Sequence, residues 1–473
     1  MELDEFLDTM SEQIRNPKVG VMAREEMENH IRDQAQAYEE MGMGRDEAIS
    51  KAVGQMGDPV TTGVELDRIH RPKMEWGLFV WIVLFSILGL VIQYVCFYGL
   101  EEIRSQEVWG GGMENFIRQC VYTAAGLAVM AGVCLLDYSV IGKYAGIGGF
   151  AFLGTIGLLC SLDILPHING GHPYLKSLTY LFVPLYGGIL YKNRGRGYRG
   201  AGAGLLWLWG LFFVGARCIG SGLGVILNAV LACLCLLLLA VWKEWFGFTR
   251  KAGLGVLAVL TLVMCILMSK GLAPYQLRRI QVWLHPEDFA NTAGYQIHTI
   301  RNIVSSLSLN RSSYGLLEQR GLAEFLRNLG VYSEFMFLQT AVTLGVMKTV
   351  CLCLLFAAFL MYLLRMAMRQ KNQLGQIMGL GCTLVLTAEI VGNVLSNFGL
   401  GIVSTEGIPF FSYGKWHTLV VYILFGILLG IYRYENLVWD EPVRVRRERG
   451  VIARIGDYVI RVEKRQGRLS EIE

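Results

Sequence analysis

The chain has 473 residues, a mean hydropathy of +0.42, 53% hydrophobic residues and only 17% charged ones. Ordinary globular domains are about 25% charged, so this composition excludes a disordered chain and argues against a soluble one. The net charge of +4 hides an asymmetry: residues 1–70 carry 16 acidic and seven basic side chains, a balance of −9, and the remainder carries 23 and 36, a balance of +13.

Residues 1–70 read as three or four short helices. Pro17, Gly42 and Gly44 break them, and Asp58-Pro59 starts the last one. The stretch from Arg24 to Glu40 is long, charged and helical, with too little apolar content to stand without neighbours. An acidic, polar N-terminus does not read as a cleavable signal peptide.

From Trp76 onward the apolar residues cluster into runs of the roughly 20 residues that a bilayer crossing requires. Ten spans are predicted, at 76–99, 117–137, 140–162, 175–192, 201–218, 220–242, 252–272, 334–364, 375–400 and 417–436. Lys and Arg concentrate in alternate connections. Arg71 and Lys73 precede the first span; Lys192, Arg194, Arg196 and Arg199 follow the fourth; Lys243, Arg250 and Lys251 follow the sixth; Arg365, Arg369 and Lys371 follow the eighth; Arg444, Arg446, Arg447 and Arg449 follow the tenth. The positive-inside bias then places both termini in the cytoplasm. The expected fold is all-α: a polytopic, multi-pass membrane protein with about ten transmembrane helices and a small cytoplasmic N-terminal helical domain. Its expected parts are a cytoplasmic helical domain at 1–70, a ten-helix membrane domain at 76–436 with a large outer loop at 273–333, and a basic cytoplasmic tail at 437–473.

The outer loop is too long for a simple connection. It is not low-complexity, and it carries Arg278, Arg279, Arg301, Arg311, Arg320 and Arg327 on the side where positive charge is normally sparse. A structured loop of this kind reads as a lid or a site for an anionic ligand.

Several motifs in this region, taken in order, resemble the SEDS family, which includes FtsW, RodA and SpoVE. Pro274-Tyr275-Gln276, Arg279-Ile280, Pro286 and Gly294-Tyr295-Gln296 look like the start of that family's large outer loop. Ser333-Glu334-Phe335-Met336-Phe337, with Leu344-Gly345 beyond, is similar to its Thr-Asp-Phe-Ile-Phe…Leu-Gly pattern. Pro409-Phe410-Phe411-Ser412-Tyr413-Gly414 matches the signature before the last span, Asn393 the family Asn in the ninth, and Arg118-Gln119 and Asp137-Tyr138 positions around the second. Residues 1–70 resemble a different module, the helical prefix domain fused to some bacterial permeases, through Glu25-Glu26…His30, Gly42…Asp46-Glu47-Ala48 and Met56-Gly57-Asp58-Pro59. The role this implies is docking or regulation through a cytoplasmic partner of unknown identity.

The resemblance implies a peptidoglycan glycosyltransferase of the bacterial cytoplasmic membrane. Such a protein polymerises lipid II at the outer face, in cell division, elongation or sporulation, with a class B penicillin-binding protein as partner. The carboxylate of the Asp-Phe motif is the family's essential residue, so Glu334 is the catalytic candidate, departing by one methylene. The chemistry argues the same inventory. A sugar hydroxyl needs a base within hydrogen-bond reach, and a pyrophosphate leaving group needs cationic stabilisation, for which the planar fork of Arg is suited. Arg279 and Arg301 are the candidates for pyrophosphate, and Tyr295, Gln296, Ser412 and Tyr413 for the rest of the substrate. No cofactor is assigned; a divalent cation is the one candidate. Other departures are Lys415-Trp416-His417, where the family has Gly-Ser-Ser, and Glu389, where it has Gln.

Lys348 and Glu389 lie deep inside predicted spans. Lys348 is about 21 Å into the eighth span and Glu389 about 17 Å from the outer end of the ninth, at 1.5 Å per residue. Charge near the bilayer centre requires a partner, so a Lys348–Glu389 pair is expected. Two alternatives to polymerisation remain: a non-catalytic relative that binds precursor or acts as a scaffold, and a lipid or solute transporter using this pair. The basic tail is expected to meet anionic lipid headgroups rather than nucleic acid.

Overall fold

The structure is a computed structural model describing residues 2–101, 112–162, 172, 175–218, 223–271, 278, 281–319, 322, 334–401, 407–435, 451–455 and 458–461. Helices α1 (Leu3–Glu12), α2 (Pro17–Glu40), α3 (Arg45–Gln55) and α4 (Pro59–Ile69) begin and end where the sequence breakers predict. Asp58 caps α4 by accepting the Thr61 N–H at 2.9 Å, ahead of Pro59 at the first helical position. The charged α2 gains its support from a small core of Phe6, Leu7 and Met10 of α1, Ile31 and Ala35 of α2, and Ala48, Ala52 and Val53 of α3. Asp67 closes the group. It accepts the Arg15 N–H at 3.1 Å and pairs with Arg71, and these contacts hold its carboxyl below the usual range.

The apolar region follows as α5 (Trp76–Glu101), α6 (Gly112–Cys134), α7 (Tyr138–Ser161), α8 (Phe182–Lys192), α9 (Gly197–Cys218), α10 (Leu223–Trp242) and α11 (Arg250–Gly271). After the outer loop come α14 (Met336–Leu344), α15 (Val346–Arg369), α16 (Gln373–Asn397) and α17 (Lys415–Arg433), with α12 (Tyr295–Val304) and α13 (Tyr314–Gln319) lying within that loop. Among the described residues, eight of these helices are long and apolar enough to cross a membrane: α5, α6, α7, α9, α10, α15, α16 and α17. The predicted spans at 175–192 and 252–272 are also helical. The first is a 3-10 turn at Ser177–Leu181 leading into the short, almost wholly buried α8, and the second is α11. In the tail, Val451–Ile455 (β1) and Tyr458–Arg461 (β2) pair as an antiparallel hairpin that the basic composition did not announce.

Helices α16 and α17 form the centre: their apolar windows are 67% and 72% buried, against 17% for α7. α17 packs along α6, and α16 touches α8, α10, α15 and α17. Lipid is as apolar as a leucine side chain, so association here draws on close packing rather than on transfer from water. Phe85 of α5 meets Phe356 and Phe359 of α15 at 4.8 and 4.7 Å between ring centroids, and also reaches Phe410 and Phe411 before α17. The basic connections after α8 and α10 meet the start of α16: Arg194 donates to the Gln373 side chain at 2.8 Å, and Lys243 to that of Gln376.

One predicted span is corrected. The run 334–364 is not a single helix but α14 and α15, separated at Gly345 with φ +93° and ψ 161°, a conformation open essentially to glycine alone. A Cβ there would also lie 2.9 Å from the Asn310 carbonyl carbon. The outer loop supplies the reason for the break. Val346 and Met347 donate their main-chain N–H groups to Ser308 and Leu309 carbonyls at 3.1 and 3.0 Å, and Ser313 donates its own to Val342 at 2.8 Å.

Candidate functional site

Glu334 lies two residues before α14, half-buried. Its main-chain carbonyl accepts two amide donors, Asn393 Nδ2 and Asn397 Nδ2, each at 3.0 Å. The two Asn side chains lie four residues apart on one face of α16 and bind each other, Asn397 Nδ2 donating to Asn393 Oδ1 at 2.7 Å. Asn397 Oδ1 in turn accepts the N–H of Leu338 at 2.9 Å. Leu338 is the third residue of α14, so a side chain from another helix caps one of the N–H groups that every helix start leaves unpaired. Both Asn residues are fully buried. The helix start thus directs its positive dipole end towards the Glu334 turn.

The 281–319 segment folds over this turn. Ile300 and Ile303 of α12 and Leu317 of α13 share an apolar cluster with Phe335, Leu338 and Val342. Two side chains fasten the segment to the end of α16: Trp283 Nε1 donates to Leu400 O at 2.9 Å, and Arg301 Nε to Gly399 O at 3.0 Å. Arg301, expected to meet pyrophosphate, therefore commits its Nε to the protein's own backbone. Gly399 has φ +69°, and a Cβ on it would come within 2.8 Å of the Arg301 side chain. Tyr295 is exposed and Gln296 half-buried on the first turn of α12. Arg279, with Arg320 and Arg327, lies outside the described residues.

The signature Pro409–Gly414 forms a tight turn leading into α17. Phe410 adopts φ +71°, an outlier for a bulky residue. Side chains around it hold the turn. Gln93 Nε2 donates to Phe411 O at 2.7 Å, Ser412 Oγ accepts from Ile408 N at 2.7 Å, and Gln119 Oε1 accepts from Gly414 N at 3.2 Å. Ser412 is buried, so its hydroxyl serves the turn. Tyr413 hydrogen-bonds Arg118; burial raises its phenol pKa, and Arg118 partly opposes that rise. Arg118-Gln119 and the signature, far apart in the chain, are thus brought together.

The expected Lys348–Glu389 pair does not form. Because the chain breaks at Gly345, Lys348 lies in the first turn of α15, exposed, and donates to Leu344 O at 3.2 Å. Near a helix end its long stem can carry the ammonium outward. Glu389, wholly buried, faces His417 instead, with Oε1 and Nδ1 3.4 Å apart. The transporter reading built on the Lys–Glu pair loses its basis. The sequence selects neither His417 nor Asn397 as a site residue, and it does not single out Gln93 or Trp283. Asn397 could have been found from its spacing to Asn393; His417 had no signal beyond its departure from the family pattern.

The model of the FtsW/RodA/SpoVE family, described as cell cycle proteins, matches residues 199–437. The chain belongs to this family. The matched stretch runs from α9 through the outer loop to the end of α17, so it includes the Glu334 turn, both Asn residues and the Pro409–Gly414 turn, and leaves α1–α4 outside. The family places the chain among multi-pass membrane proteins, in agreement with its eight long apolar helices. Similar proteins include a probable peptidoglycan glycosyltransferase FtsW of Synechocystis, 29% identical over 210 residues, which are 42% of this chain and 48% of that one. The peptidoglycan glycosyltransferase MrdB of Escherichia coli K12 is 27% identical over 164 residues (35% and 44%). The stage V sporulation protein E of Bacillus subtilis is 25% identical over 164 residues (35% and 44%). The matches span less than half the length of these curated relatives. Among solved structures, a chain of a peptidoglycan synthase complex aligns with a TM-score of 0.56 at 18% identity, over 76% of this chain and 98% of that chain. A variant of the rod shape determining protein RodA of Thermus thermophilus aligns with a TM-score of 0.50 at 16% identity, over 76% and 97%. At these identities the likeness is one of fold.

Proposed function

We propose that the protein is a peptidoglycan glycosyltransferase that polymerises lipid II at the outer face of the bacterial cytoplasmic membrane. The observation that carries this reading is the Glu334 turn: a carboxylate-bearing residue at a span mouth, its backbone held by two buried amides and roofed by a folded outer segment. In the proposed step an acceptor sugar hydroxyl attacks the anomeric carbon of the donor. The new carbon–oxygen bond forms as the bond to the lipid pyrophosphate breaks, and Glu334 takes the hydroxyl proton. A cation must meet the negative charge on the departing pyrophosphate. With Arg301 engaged at Gly399, Arg279 is the leading candidate for that role, and a divalent cation is the alternative. Both termini are cytoplasmic in this reading. A class B penicillin-binding protein is the proposed partner, the tail meets anionic lipids, and α1–α4 dock a cytoplasmic protein of unknown identity.

Lipid II polymerisation by the purified chain, alone and with a class B penicillin-binding protein, tests the proposal. Glycan strands that disappear in Glu334→Gln are the expected result. Their absence from every sample, in folded protein that still binds lipid II, would move the protein to the non-catalytic, precursor-binding reading. The Glu334→Asp variant examines the extra methylene. Moving a reacting group by about 1 Å can change a rate roughly a hundredfold, so a faster Asp variant would show a competent site that the longer side chain detunes.

A further inference from the structure

Glu389 and His417 form a buried acid–imidazole contact that polymerisation at Glu334 does not itself require. The carboxylate is on α16 and the imidazole on the first turn of α17, and both side chains are shielded from solvent. Glu389, Asn393 and Asn397 follow one another at four-residue intervals, so they share a face of α16 and climb it in steps of about 6 Å. At the upper end of this seam, the two amides hold the Glu334 carbonyl and the Leu338 N–H. At the lower end, His417 stands three residues beyond Gly414, in the helix that the Pro409–Gly414 turn feeds. Gln93 and Gln119 tie that turn to α5 and α6. The seam therefore runs between the two motifs.

We propose that Glu389 and His417 are a positioning pair for the Glu334 turn. By fixing the rotation and depth at which α16 seats against α17, they set where Asn393 and Asn397 present their amide donors. The catalytic part of this inference rests on the polymerase reading of Glu334; the positioning part does not. Putting a leucine where the imidazole packs against the buried Glu389 side chain changes the fit between the two helices, and on a helix carrying the Asn clamp such repacking shifts the clamp. Replacing both with leucine restores a matched apolar contact across the seam, and residues in direct contact couple, so the two substitutions are non-additive.

The test compares Glu389→Leu, His417→Leu, the double variant and Glu389→Gln in the full chain. Two quantities are read: hydrogen exchange of the amides at 336–340, and steady-state kinetics of lipid II polymerisation. Each leucine variant is expected to raise exchange at Leu338 and to lower kcat about tenfold or more with KM within about twofold, the signature of a displaced catalytic group. The double variant should be no worse than the worse single, and Glu389→Gln, which keeps a polar side chain of the same length against the imidazole, should restore most of both. If a leucine variant fails to accumulate, Glu389→Gln and His417→Asn carry the comparison. Unchanged exchange and kcat in folded single variants, or losses that simply multiply, would overturn the pair. If the wild-type chain makes no glycan strands, the polymerase reading falls alone, and the exchange data still decide whether the pair positions the turn.

Discussion

Asn397 is a polar hub of the Glu334 turn. It donates to the Glu334 and Asn393 carbonyls and to Asn393 Oδ1, and it accepts from Leu338. Asn397→Ala leaves a buried N–H without its partner, at a cost of about 1–3 kcal/mol. It should lower the thermal midpoint in detergent and reduce polymerisation more than Asn393→Ala, which leaves the Glu334 carbonyl one of its two donors. Equal losses in the two variants would contradict the hierarchy. At this scale the sequence is legible in its motifs and silent on partners. Glu334, Asn393 and Ser412 are found from short patterns. The partner of Glu389 is not, because 28 residues separate it from His417, and their meeting depends on how two helices are rotated. Arg301 has the right chemistry for an anion, yet Gly399 sits close enough for its carbonyl to accept the Arg301 Nε–H.

Among the elements, the break between α14 and α15 changes the most. An apolar run reads as continuous helix because composition carries no record of a loop returning to accept, on its carbonyls, hydrogen bonds from the middle of the run. Ser308 and Leu309 do so here, and Gly345 provides the backbone conformation that the break requires. Gly345→Ala should destabilise the protein by about 1–3 kcal/mol, seen as a fall in thermal midpoint. It should also loosen the 308–313 segment, read as faster hydrogen exchange there. A variant that melts like wild type would show that the break tolerates a side chain. The misplaced depth of Lys348 has the same origin, since it was counted along a helix that ends at Leu344. By contrast, α2, α3 and α4 begin at Pro17, beyond Gly44 and at Pro59 as the sequence indicates, because proline and glycine act through local backbone geometry that needs no tertiary context.

Across the whole molecule, charge distribution leads to a testable orientation. In the proposed orientation the acidic α1–α4 and the basic connections after α8, α10 and α15 face the cytoplasm, and the 281–319 segment faces outward. In a chain whose exposed Cys265 and Cys351 are replaced by Ala, Glu287→Cys should react with a membrane-impermeant maleimide in intact cells. Glu47→Cys should react only after permeabilisation. The reverse pattern would invert the topology and remove the outer-face site.

Apolar runs of bilayer length, their spacing, the asymmetry of basic residues and the ordered motifs were enough to indicate an all-α membrane protein of this family and to mark Glu334, because each depends on local composition or on a short stretch of chain. Only the tertiary structure decided that α14 and α15 are separate, that Arg301 braces the loop, that Asn397 completes the Glu334 clamp and that Glu389 faces His417. Those outcomes depend on helix rotation, crossing depth and loop return, which are set by packing among distant segments and leave no periodic trace in any one of them.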